Sequence, residues 1–263
     1  MTAPCALILR VEQFEDHTDA YEWNCELDHA DGGDIVSIPD MKFDKDQFKS
    51  GISTLFGDVT IYGGRATING NPVFGRRDSQ NNVGDRRLVV GEERSVLAIR
   101  VVGNDIETTA NSATISDEIF GTSGDSFNLS SGFSQCSNNQ LNFVPTTIAG
   151  TNGVYTVTLN QDIAGFTNSE LQNLVVNTAT AELGTLSAQF DHVMLCLPNI
   201  AGFGGIAYAY INSWLSVYKD AWCLYPSAQL HEIGHNINLA HSNEGTTTYA
   251  DQSGMVSLFY DIQ

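Results

Sequence analysis

Basic residues are scarce in this chain: 12 Lys and Arg stand against 31 Asp and Glu, a formal net charge of -19. A phosphate backbone or an anionic bilayer surface repels such a chain, which argues against nucleic acid as a partner. Long apolar runs are missing too. None approaches the roughly 20 residues that span a bilayer, so no membrane-spanning helix is expected. The five cysteines, Cys5, Cys25, Cys136, Cys196 and Cys223, contain no CxxC pair. That argues against a thiolate zinc site and a thioredoxin-like redox motif, and the odd count leaves at least one thiol unpaired. The opening ten residues have neither the basic stretch nor the long apolar stretch of a signal peptide. What the chain does have is 42% hydrophobic and 10% aromatic residues over 263 positions, enough to exclude wholesale disorder and to bury a real core.

The chemistry is concentrated in His231-Glu232-Ile233-Gly234-His235-Asn236-Ile237-Asn238-Leu239-Ala240-His241. On a helix of about 3.6 residues per turn, His231 and His235 stand one above the other, so both imidazoles reach one metal ion. Glu232 is rotated roughly 100° from His231. Its carboxylate therefore lies beside the ion, where it can take a proton from a water that the ion activates. Three protein ligands leave one coordination position open, the mark of catalytic rather than structural zinc. His241 lies six residues beyond His235, and a straight helix would carry it away. The helix must stop between them. Asn238 serves, because Asn ranks next to Gly in adopting the left-handed conformation that ends helices.

This stretch resembles the extended HExxHxxGxxH signature of the metzincins, and Ser253-Gly254-Met255 resembles their Met-turn. The surrounding wording, HEIGHN, LAHSNE, DQSGM, AYAYINSW and CSNNQLNFVP, is similar to the gametolysin family of algal matrix-degrading proteases, over residues 96–255. Asn238 departs from the signature, which has Gly there. The resemblance implies an α+β fold, a zincin catalytic domain with a twisted mixed β-sheet and an active-site helix. It implies Zn2+ held by His231, His235 and His241, Glu232 as general base, and Met255 as a hydrophobic floor under the ligands. The expected activity is secreted endopeptidase action on matrix or cell-wall glycoproteins, with the true start of the chain upstream. The alternative is a catalytically inactive secreted module in which zinc is a fold staple. Related proteins run on past residue 263, so the cleft is expected to be incomplete.

Residues 1–88 read as a β-rich N-terminal region, a propeptide or small companion, and residues 89–263 as the catalytic domain. Short strands are expected at 6–11, 34–38, 59–62 and 65–68, with Gly63-Gly64 as a hairpin turn. Arg76-Arg77 and Arg86-Arg87 are candidate processing sites. Cys25 could act as a latency thiolate on the metal; a Cys5–Cys25 disulfide is the simpler alternative. In the second region strands are expected at 95–102, 141–144, 154–159 and 190–197. Helices are expected at 116–120, with Ser116 as N-cap, and at 169–183. The zinc helix is expected to start with Ser227 as N-cap, and Cys196 and Cys223 are a candidate disulfide flanking the stretch before it. His192 reads as a core residue, and Gly202-Phe203-Gly204-Gly205 as a surface turn. Asn128-Leu129-Ser130 fits a glycosylation sequon. Residues 207–217 resemble the stretch that supplies the substrate-side strand and loops before the zinc helix; by analogy with metzincins, an extended peptide would lie antiparallel to an edge strand, whose residues the sequence does not name. Tyr249 and Tyr260 are candidates to steady a tetrahedral intermediate.

Overall fold

The computed structural model describes residues 2–15, 18–27, 35–39, 43, 48–51, 53–62, 65–76, 92–124, 127–148, 151–241 and 257–258. The chain order is β1 (Thr2–Gln13), β2 (Asp19–Leu27), β3 (Ile35–Ser37), β4 (Ser53–Tyr62), β5 (Arg65–Arg76) and β6 (Glu92–Val102). Then come α1 (Ser112–Phe120), α2 (Leu129–Cys136), β7 (Leu141–Pro145), β8 (Val154–Thr158), α3 (Asn168–Leu183), α4 (Leu186–Gln189) and β9 (His192–Leu197). The last elements are β10 (Ala207–Tyr210), β11 (Leu215–Lys219), a 3-10 turn (Asp220–Leu224), α5 (Pro226–Asn236), β12 (Leu239–Ala240) and β13 (Ser257–Leu258).

One mixed sheet organises the molecule. Its strands run β2-β3-β5-β4-β1-β10-β11-β9-β6-β7, with β8 following β7 along the same side of β6. Strands β7, β8, β6, β9 and β11 are mutually parallel, and β10 is antiparallel to β11. Alternation along the strands feeds two cores. Leu97, Ile99, Val101, Val193, Leu195, Leu215 and Val217 face α3, which packs Leu171, Val175 and Ala179 onto them. Val96, Ala98, Met194, Cys196 and Tyr218 face the opposite way, toward Ile115, Ile119, Phe133, Leu230 and Ile233 of α1, α2 and α5. Burial on both faces explains why these strands read as continuous apolar runs.

The sheet does not stop at residue 88. β1 pairs antiparallel with β10, Arg10 opposite Tyr210 through Gln13 opposite Ala207, and its other side takes β2. Ile8 and Ile35 belong to the same core as α3 and β9. Arg10, 5% exposed, places its guanidinium 3.9 Å over the Tyr208 ring and within 2.6 Å of a Glu12 carboxylate oxygen. Such a cation stacked on an aromatic face inside the sheet fastens β1 to β10. Gly51 tightens the same junction: its φ is +73° and a Cβ there would meet the Asn212 carbonyl oxygen at 2.5 Å. Ser50 Oγ donates to the Ile211 carbonyl at 2.6 Å.

Several local expectations shift. α1 begins a turn earlier than residue 116, because Asn111 Oδ1 accepts the Thr114 N–H at 2.9 Å; Ser116 is buried inside the helix. It ends at Gly121, φ +71°. α2 and β2 form where no helix or strand is expected from the sequence. Strands β4 and β5 pair antiparallel with Tyr62 opposite Arg65, while Gly63-Gly64, Arg77 and Arg86-Arg87 lie outside the described residues.

Candidate metal centre

α5 starts at Pro226, not with Ser227 as its cap. Proline at the first helical position has no N–H to satisfy and its φ is already helical, so a side-chain cap is dispensable. The cap position falls to Tyr225, which makes no side-chain cap hydrogen bond. Upstream, Cys223 is bridged to Cys196, tying the entry turn of α5 to the end of β9. Gln229 Nε2 donates to the Cys223 carbonyl at 2.8 Å and secures the same corner.

The helix ends at Asn236, and Asn238 follows with φ +72°, its N–H donating to the His235 carbonyl at 2.9 Å. That left-handed residue turns the chain back through β12 and returns His241 to the helix. Asn236 locks the end in place: its Nδ2 donates to the carbonyls of Tyr210 at 3.0 Å and Leu215 at 2.9 Å. The Asn212 N–H donates to the His235 carbonyl at 2.9 Å.

The three imidazoles converge. Nε2 of His231 lies 2.9 Å from Nε2 of His241 and 3.1 Å from Nε2 of His235, and the last two are 3.2 Å apart. Zinc sits about 2.0–2.1 Å from an imidazole nitrogen, and a triangle of this size lets one ion touch all three corners. The outer nitrogens decide what the inner ones carry. His235 Nδ1 is 2.9 Å from the Leu239 carbonyl, which can only accept, so Nδ1 holds the proton and Nε2 a lone pair. His241 Nδ1 is 2.8 Å from Asp19 Oδ2, which accepts the Nδ1 proton. Nε2 of His235 and Nε2 of His241, 3.2 Å apart, are close enough for one ion to bind both. Burial, followed by the neighbouring imidazoles, drives His231 well below its ordinary pKa, and burial with His241 brings His235 down to about 4. Both are therefore neutral near pH 7, as metal ligation requires. These three form a group able to hold a metal ion. The donor set of three imidazoles suits zinc among other transition ions.

Glu232 is 1% exposed, and neither carboxylate oxygen has a hydrogen-bond partner among the described residues. Burial first, then Asp19 and Glu12, push its pKa well above the ordinary carboxylate range. A buried acid left unsatisfied is costly, and is retained where it serves chemistry.

Asp19 and Tyr21 escaped the sequence reading. The Tyr21 hydroxyl lies 3.3 Å from His241 Nδ1, and burial followed by Asp19 raises its pKa to about 12. These β2 residues stand 220 or more positions from His241, with no local motif to connect them.

The other expected site residues fall as follows. Cys5 is bridged to Cys25, which occupies the thiol proposed for latency; Cys136 is free and exposed. Asn128 is 4% exposed and caps α2, accepting the Ser131 N–H at 2.9 Å. An amide so enclosed is not where a bulky, solvated glycan attaches. His192 is buried in β9, edge-on to Phe143. Met255, Tyr249 and Tyr260 lie outside the described residues. β10, drawn from the stretch expected to supply the substrate-side edge, is not an edge: β1 lies antiparallel along it.

No helix among the described residues is long and apolar enough to cross a membrane. The two disulfides fit an oxidising, extracellular setting. No protein-family model, curated protein or solved structure matches the chain, so neither metzincins nor gametolysins are identified by comparison.

Proposed function

We propose that the chain is a secreted zinc-dependent endopeptidase with His231, His235 and His241 as ligands and Glu232 as general base. The observation that carries this reading is the buried Glu232 carboxylate, without a hydrogen-bond partner among the described residues, adjacent in sequence to the first of three converging imidazoles. A purely structural zinc site gains nothing from such a group. Zinc bound there would supply a Lewis acid for the peptide carbonyl and lower the pKa of an attacking water to about 7. Glu232 would accept the proton of that water and afterwards deliver it to the leaving amine. The hydrogen bonds on His235 and His241 keep both rings in the tautomer that presents Nε2. Extracellular matrix or cell-wall glycoproteins are the proposed substrates, on the resemblance of residues 96–255 to gametolysins.

A second reading has its own observation. β10 has no free side for an extended peptide to join, because β1 lies antiparallel along one side and β11 along the other, which favours a non-catalytic module stapled by zinc. Digestion of gelatin or casein, with and without chelator and with Glu232→Ala as control, separates the two. Cleavage that disappears with chelator and in the variant supports the peptidase. Zinc retained by both proteins with no cleavage by either supports the staple.

A further inference from the structure

We infer that Asp19, from the N-terminal hairpin, is a positioning residue of the metal centre: it accepts the Nδ1 proton of His241 and so aims Nε2 of that ligand at the ion. This rests on the metal-centre reading above and adds a component from outside the His231–His241 segment.

The geometry is specific. Asp19 Oδ2 is 2.8 Å from His241 Nδ1, and the two side chains are only 5% and 2% exposed, so water does not compete for the contact. His241 needs such a partner more than the other ligands do. His231 and His235 project from a helix that holds their backbone, whereas His241 follows a two-residue strand. Ligating histidines commonly donate their second nitrogen to a carboxylate or carbonyl, which fixes the ring and makes the metal-facing nitrogen more basic. His235 uses the Leu239 carbonyl for this, and His241 uses Asp19. Tyr21 stands behind the pair: its hydroxyl bonds to Asp19 and edges against the His241 ring, 6.5 Å between centroids.

The hairpin is held where this contact needs it. Val11 pairs with both Tyr21 and Ala209, so the strand carrying Asp19 is in fixed register with β10. The N-terminal strands therefore contribute to metal affinity, and a cut that releases them weakens the site rather than freeing it.

The test is zinc affinity, measured by chelator competition at pH 7 on the full chain, with Asp19→Asn, Asp19→Ala and Asp19→Glu. Loss of about 10- to 100-fold is expected for Asp19→Ala. A smaller loss is expected for Asp19→Asn, whose neutral oxygen still accepts, and partial recovery for Asp19→Glu. A folded Asp19→Ala protein with wild-type zinc affinity overturns the inference. Should that variant fail to fold, nitrogen NMR of the zinc-loaded wild type decides. A slowly exchanging Nδ1 proton on His241 with Nε2 as the zinc nitrogen supports the inference, and zinc on Nδ1 overturns it. A wild-type chain that takes up no zinc overturns both this role and the metal-centre reading; wild-type uptake with unaffected Asp19 variants overturns this role alone.

Discussion

Glu232 holds a carboxyl group with no hydrogen-bond partner among the described residues, in a nearly solvent-free place. Such a group costs stability, so function and stability should separate on substitution. Glu232→Gln is expected to lower hydrolysis by at least about a hundredfold. It should keep zinc and raise the melting temperature of the metal-free protein by about 2–4 °C, readable by calorimetry. The same variant exposes the titration of the ligands, because it removes the opposing contribution of a raised carboxyl pKa. The folded pKa of His235, about 4, lies below its free value of 6.5. Between those values the unfolded chain binds a proton that the folded chain refuses, so stability falls as pH drops from 6.5 to 4. The loss attributable to His235 is about 3 kcal/mol, and His231 adds to it in the same direction. Denaturant midpoints of metal-free Glu232→Gln across that range check the sign. At this scale the histidine cluster and its neighbouring carboxyl group were legible because helical periodicity alone puts His231, Glu232 and His235 around one point. Asp19 was not, since contact across 222 positions depends on how β1 and β2 pair with β10.

α5 owes its usefulness to where it stops. Asn238 at φ +72° reverses the chain, and glycine should occupy that conformation with less strain, whereas a β-branched residue should not. Asn238→Gly is therefore expected to retain zinc and stability. Asn238→Val should cost about 1–2 kcal/mol and weaken zinc binding, as thermal denaturation and chelator competition would read. The stop was legible because a third ligand six residues on demands a break. The cap lies two residues earlier than expected, at Tyr225, since Ser227 matched a cap preference while Pro226 removed the need for a cap. At the same end, the Cys196–Cys223 bridge closes a loop with a sequence separation of 27. Replacing both cysteines by alanine should cost roughly 3 kcal/mol. The helix, fastened through this corner, should then hold zinc less tightly.

Across the whole molecule, the division at residue 88 visible in the sequence does not divide the sheet. β1 is hydrogen-bonded to β10, Arg10 is stacked on Tyr208, and Ile8 shares a core with α3. Composition and turn residues revealed β-rich character before residue 88. They could not reveal which side of which strand β1 would join, because strand pairing between distant segments leaves no local trace. One consequence is cooperativity: near-ultraviolet signals from Trp23 in the N-terminal strands and Trp214 beside β11 should be lost in a single transition, raised to a higher temperature by zinc. The measurement that bears most directly on the account is zinc-edge X-ray absorption of the zinc-loaded chain. The account predicts three imidazole nitrogens at about 2.0–2.1 Å and a remaining light-atom ligand, with the signal lost in His241→Ala. Zinc bound through sulfur, or a spectrum unchanged when His241 is removed, would contradict it.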